Sequence, residues 1–181
     1  MSCGAALPDQ ARVGRAVDGD TVELSDHRLV RYIGIDAPEV RRRARPGDPE
    51  WRPPRRSIWS GRGAGEGDRW VSDPQPFGEA AAEANRRLIE GKVVRLEYDV
   101  QTHDRYGRLL AYVYVGPMMI NAELLRLGYA QPLTIPPNVK HAETFRALAA
   151  DARRKGLGLW ASGGPSVERR KEPVGRRSWR N

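Results

Sequence analysis

Apolar and polar residues alternate in short runs up to about residue 36 and recur at helical spacing from residue 77, which splits the chain into a strand-forming first part and a mixed second part. The first part centres on Val17 to Glu39. It predicts a strand running into Val17, a tight Asp18-Gly19 turn, a second strand from Thr21 to Leu24, a Ser25-Asp26-His27 turn, and a third strand from Leu29 to Ile35 that Pro38 stops. Asp-Gly between alternating apolar residues is a hairpin signal, in which glycine takes the positive φ of a two-residue turn. Further on, Phe77, Ala80, Ala81, Ala84, Leu88 and Ile89 share one helical face, with Gly91 placed to end the helix. Lys92 to Tyr98 alternates as a strand with one face buried, and Leu109 to Val115 is another. Asn121 predicts the N-cap of a short helix through Leu124, Leu125 and Leu127, closed by Gly128. Prolines keep Gln131 to Pro137 extended. A last helix is expected from Asn138 to Lys155, with Val139, Ala142, Phe145, Leu148, Ala149 and Ala152 on one side. The order β-β-β-α-β-β-α-α predicts an α+β fold, a five-stranded OB-type barrel with about three added helices.

Three stretches fall outside this pattern: a lead-in over residues 1–11, an Arg-, Pro- and Gly-rich insertion at about 41–76, and a tail over 163–181 read as disordered. One domain over 12–162 is therefore expected, which suits a chain of 181 residues. Charge sharpens the division. The chain carries +8 overall; residues 41–76 hold nine arginines against five acids and residues 163–181 six bases against two acids, so these appendages account for the whole excess. Arginine-rich appendages suit a polyanion such as nucleic acid, although a merely solvated basic surface has the same composition. Trp51, Trp59 and Trp70 lie among the arginines of the insertion. They can stack on bases, or simply fold the insertion onto the core.

Cys3 is the single cysteine, so neither an internal disulfide nor a thiolate metal cluster is possible. No apolar run approaches the roughly 18 residues of a membrane helix. The first ten residues lack a basic start followed by a long apolar core, so no signal peptide is read there. Cys3 could also be the lipidated residue of a trimmed lipoprotein. Secreted, lipid-anchored and cytoplasmic locations all stay open.

The polar residues around the first strands carry the chemistry. Asp18, Asp20, Asp36 and Glu39 bracket the strands, and Arg31 sits among apolar positions of the third; carboxylates converging with an arginine point to a hard cation and a phosphate. Asp18-Gly19-Asp20-Thr21, then Arg31 ahead of Asp36-Ala37-Pro38-Glu39, resembles the staphylococcal nuclease (thermonuclease) family. Asp104-Arg105-Tyr106-Gly107-Arg108 through Tyr112 resembles that family's second motif, and Asn121 to Gly128 and Gly156 to Trp160 also fit its pattern.

The resemblance implies a Ca²⁺-dependent, sugar-nonspecific endonuclease. Such an enzyme hydrolyses DNA and RNA by in-line attack of water, cuts the 5′ P–O bond and leaves 3′-phosphate ends. Asp20, Asp36 and the Ala37 carbonyl are the expected metal ligands; the family usually has threonine at the latter position, and a carbonyl ligand survives that change. Glu39 is the expected general base, and Arg31 and Arg108 present guanidinium forks to the phosphate. Mg²⁺ or Mn²⁺ could replace Ca²⁺, since all three accept oxygen ligands. Arg105 stands where a lysine often helps hold a phosphate, with Tyr106 beside it as a substrate contact. Leu133 and Ile135 occupy the places of two tyrosines that contact the bound nucleotide in relatives, which predicts weaker affinity for single nucleotides. Asp18 is expected to support its own turn rather than the ion, as turn aspartates do. His27, His103 and His141 have no metal-site spacing and are given no role. The residues alone leave a noncatalytic nucleic-acid-binding OB module open, whereas a methylarginine reader would need an aromatic cage that is not apparent. No protein partner is indicated, and a monomer is expected.

Overall fold

A computed structural model of the chain describes residues 7–43, 70–72 and 75–161. Most of the arginine-rich insertion, Trp51 and Trp59, Cys3 and the basic tail lie outside the described residues, and so do the expectations attached to them. The elements in chain order are β1 (Gln10–Ala16), β2 (Thr21–Leu24), β3 (Leu29–Tyr32), β4 (Ile35–Asp36), β5 (Arg41–Arg43), β6 (Trp70–Ser72), α1 (Gly78–Ile89), β7 (Val93–Glu97), β8 (Leu109–Val115), β9 (Met118–Met119), α2 (Ile120–Arg126), β10 (Gln131–Pro132), α3 (Ala142–Arg154) and a 3₁₀ turn at Gly158–Trp160.

The strands β3-β2-β1-β7-β8 run side by side, and β8 returns to pair in parallel with β3, closing a five-stranded barrel. Closure leaves these strands without a free edge and directs alternate side chains inward. Val22, Leu24, Val30, Leu96, Ala111 and Val113 fill the interior, all nearly inaccessible. Leu124 and Leu125 of α2 and Phe145 of α3 extend the same core outside the barrel. The predicted fold class is therefore observed, and the predicted order holds for the five barrel strands and three helices, with the short β4, β5, β6, β9 and β10 added to it; on β7, Val94 and Leu96 point inward and Val93 outward.

Several local expectations need correction. The connection from β1 to β2 is a wider loop, closed by Val17 N–H to the Thr21 carbonyl (2.9 Å) and Asp18 N–H to the same oxygen (3.3 Å). Gly19 is not among the residues with positive φ. What selects glycine there is space: a Cβ would lie 2.5 Å from the Ala37 Cβ and 2.9 Å from that of Ala81. The third strand stops at Tyr32, and the chain turns at Gly34 (φ 80°), where the aromatic ring of Phe145 would meet any Cβ at 2.6 Å. It resumes as β4, which pairs with β10. Asn121 is not a cap but a buried residue of the first turn of α2; its side chain accepts from Val113 N–H (2.9 Å) and donates to the Ile33 carbonyl (2.9 Å). The last helix begins at Ala142 rather than Asn138, leaving Val139 exposed on the preceding turn. The insertion is not wholly irregular, because Arg41–Arg43 and Trp70–Ser72 pair antiparallel. Gly91 does end α1, at φ 73°.

Candidate active site

Register brings the first acids together. Thr21 lies opposite Arg31, so Asp20 sits at the start of β2 beside the end of β3, where its carbonyl accepts the Tyr32 amide at 2.9 Å. The Asp20 carboxylate is 1% exposed. One oxygen accepts the Ala37 amide (2.8 Å); the other accepts the Thr21 hydroxyl (3.1 Å) and the Arg31 guanidinium. Arg31 also donates to Asp36 Oδ1 at 2.8 Å, so one guanidinium joins two carboxylates. Burial, with Asp18 nearby, pushes the Asp20 carboxyl up against the pull of Arg31. Burial alone would lower Arg31, but the charges of Asp20 and Asp36 outweigh it and raise its pKa. Asp18 Oδ1 accepts the Asp20 amide at 3.1 Å, which is the turn-capping arrangement expected of it.

Glu39 follows Pro38 on the exposed side of the same loop. Partial burial raises its pKa, as do Asp18 and Asp36, while Arg31 and Arg108 act in the opposite sense. Those four charges come from both motifs, so Glu39 lies where the motifs meet. Arg108 belongs to the turn before β8. Its amide donates to Asp104 Oδ1 (2.9 Å) and its Nε to Asp104 Oδ2 (2.7 Å), while the Tyr106 amide donates to the same Oδ1 (2.9 Å). Arg105 Nη2 donates to the Tyr106 hydroxyl at 2.6 Å, and its guanidinium lies 4.8 Å from the ring centre.

A cavity of about 510 Å³ opens between these segments, lined by Arg31, Glu39, Arg105, Tyr106 and Arg108 together with Leu133 and Ile135. Residues far apart in the chain thus face one space large enough for a nucleotide. His103 is on the neighbouring turn, bonded to Thr102. His141 is part of the scaffold, 2.9 Å from Glu97 and edge-on to Tyr112 at 4.5 Å.

The donors around Arg31 are all oxygen, which is the ligand chemistry of a hard divalent cation. Among the described residues no three His, Cys, Asp or Glu side chains group closely enough to hold an ion. Asp20 and Asp36 would therefore need a backbone carbonyl, water or phosphate oxygens to complete a coordination shell. Two residues essential to this geometry had no assigned role in the sequence reading. Asp104 fixes Arg108, and Asn85 of α1, fully buried, bonds to the Asp18 carbonyl. The signal for Asn85 was an amide on the apolar stripe, one turn after Ala81 and one before Ile89.

A barrel with acids and guanidinium groups gathered at one mouth has the features of a phosphodiester hydrolase, and comparison with known proteins makes the class specific. The model of the staphylococcal nuclease homologue family matches residues 29–162. The chain is 33% identical over 152 residues to the thermonuclease of Staphylococcus intermedius, covering 82% of this chain and 74% of that protein. It is 30% identical over 154 residues to the thermonuclease of Staphylococcus hyicus, covering 83% and 75% respectively. It is also 30% identical over 155 residues to endonuclease YncB of Bacillus subtilis, covering 83% of this chain and 61% of that protein. The chain belongs to the staphylococcal nuclease family, and it is a hydrolase of the nuclease type. No helix among the described residues is long and apolar enough to cross a membrane.

Proposed function

We propose that the protein is a Ca²⁺-dependent, sugar-nonspecific endonuclease that hydrolyses DNA and RNA and leaves 3′-phosphate ends. The observation that carries this reading is that Arg31, Glu39 and Arg108 line one cavity, with Arg31 bonded to both Asp20 and Asp36. In this reading Asp20, Asp36 and the Ala37 carbonyl hold the ion, which when bound neutralises the phosphate and lowers the barrier to attack on it. Glu39 accepts the proton of the attacking water, and its raised pKa brings it closer to the range in which a general base works well. Arg31 and Arg108 donate to the phosphate oxygens, where negative charge grows as the fifth bond to phosphorus forms. Arg105 and Tyr106 contact a flanking phosphate or sugar. Leu133 and Ile135 give the cavity lining an aliphatic surface with little base stacking, which favours polymeric substrate over single nucleotides. The catalytic unit is the monomeric barrel over 12–162, with the insertion and the 163–181 tail as basic appendages to it.

Plasmid degradation tests this directly. Cleavage is expected with Ca²⁺ and is expected to vanish with a chelator; Glu39→Gln should lose about 10²–10⁴-fold in rate. Arg108→Ala should lose about 10²–10³-fold. Cleavage indifferent to chelation would remove the ion from the mechanism, and products with 3′-hydroxyl ends would overturn the assigned bond cleavage.

A further inference from the structure

α1 carries a buried polar strut that ends on the turn before Asp20. Tyr32, 1% exposed, donates its hydroxyl to Asn85 Oδ1 at 2.9 Å, and Asn85 Nδ2 donates to the Asp18 carbonyl at 2.8 Å. The orientation of the amide is set by its partners. A carbonyl can only accept, so Nδ2 must face Asp18, and Oδ1 is left to the Tyr32 hydroxyl. Both partners are needed, because an amide this deeply buried is costly when either end is unsatisfied. One helical turn earlier, Ala81 presents one of the two Cβ atoms, with that of Ala37, that exclude any side chain at Gly19. The Ala81–Asn85 face of α1 is thus a platform for Asp18–Gly19, in contact with its backbone and holding one of its carbonyls.

We infer that Asn85, locked by Tyr32, is a positioning residue that sets the Asp18–Asp20 turn and so aims the Asp20 carboxylate. The path is short and continuous. Asn85 fixes the Asp18 carbonyl, the Asp18 side chain accepts the Asp20 amide at 3.1 Å, and Asp20 then meets the Ala37 amide and Arg31. Without the strut, the Asp18–Gly19 peptide retains its packing against Ala81 but loses the bond that fixes its rotation. The consequence for cation binding rests on the function proposed above, whereas the consequence for the turn does not.

Two measurements separate the two. In metal-free protein, amide hydrogen exchange at Val17 and Asp20 should be about tenfold faster in Asn85→Ala than in the parent. By calorimetric titration with Ca²⁺ alone, Asn85→Ala should bind about 10–100-fold more weakly, the usual effect of removing a group that orients a ligand. Asn85→Leu keeps the approximate volume but cannot donate to the Asp18 carbonyl, so it should match Asn85→Ala in both readouts. Ile89→Val, on the same helix face, should change neither. If Asn85→Ala fails to fold, Tyr32→Phe decides, with a smaller change in the same direction. Turn exchange unchanged in the Asn85 or Tyr32 variants, or changed equally by Ile89→Val, overturns the inference. So does Ca²⁺ affinity equal to the parent's, where the parent binds Ca²⁺. A parent protein that binds no Ca²⁺ while its turn still loosens in Asn85→Ala would refute the proposed cation site and support the strut.

Discussion

Arg31 and Arg108, which both face the cavity, are held in opposite ways. Arg31 lies in mid-strand between β2 and β8, 16% exposed, and its partners are Asp20, 1% exposed in the loop before β2, and Asp36 of β4. Arg108 lies in a turn and is 30% exposed; its partner Asp104 is four residues earlier and also accepts the backbone amides of Tyr106 and Arg108. The first arrangement joins separate elements through the pairing of β2 with β3 and exists only in the folded barrel. The second is a local loop that keeps most of its hydrogen bonds without the arginine side chain. One half of the site is therefore part of the fold, and the other is mounted on it.

Removing each arginine should expose that difference most strongly. Arg31→Ala leaves Asp20 as a buried carboxylate without its counter-charge, a change that typically costs about 3–5 kcal/mol. Arg108→Ala leaves Asp104 partly solvated and still bonded to two amides, so its cost should stay within about 1 kcal/mol. Urea unfolding of the two variants measures this. Equal midpoints would mean that the site is not divided as described, and a stable Arg31→Ala would show that the Asp20 carboxyl is neutral or hydrated in the fold.

The same division explains what could be read from the sequence. The barrel order, the inward positions of β7 and the stop at Gly91 follow from periodicity and from a glycine at a helix end, which are local signals. The grouping of Asp20, Arg31, Asp36, Glu39 and Arg108 was legible only through the resemblance of two motifs to a known family, since each residue taken alone reads as an ordinary turn or strand residue. Contacts that only the tertiary fold creates were not legible. Asn121 has the identity of a cap, yet it braces β8 against the Ile33 carbonyl. Gly19 has the identity of a hairpin glycine, yet it is selected by the approach of Ala37 and Ala81. In both positions the residue type was informative and its local explanation was wrong, because the partner lies far away in the chain.

Gly19 offers an effect of intermediate size that sharpens this point. If positive φ were the reason for glycine, alanine would be strained by its own backbone alone. Because the reason is contact, Gly19→Ala must push Ala37 and Ala81 apart, an overpacking cost of about 1–3 kcal/mol. Ala81→Gly should then recover part of that loss in the double variant, even though glycine weakens a helix by about 1 kcal/mol. A thermal-melting cycle of the two substitutions tests this, and strictly additive effects would reject steric coupling between α1 and the turn.

The smallest expected effect concerns pH, where two groups of acids act with opposite sign. Glu97 is partly buried, which would raise its pKa, but hydrogen bonds from His141 and Lys140 outweigh that and lower it from 4.5 to about 2. A carboxyl depressed in the folded state contributes stability that is complete above its unfolded value and is lost as pH falls from about 4.5 toward 2. Asp20 and Glu39 are raised instead, chiefly by burial, so the folded state holds their protons longer and their ionisation lowers stability as pH rises past the ordinary carboxylate range. Glu97→Gln should therefore flatten the acid limb of a stability–pH curve below about 4.5, and Asp20→Asn should steepen it by removing a group that acts in the opposite direction. Urea midpoints between pH 3 and pH 7 decide the matter: an unchanged acid limb in Glu97→Gln would mean that its contacts with His141 and Lys140 do not hold the carboxylate in solution.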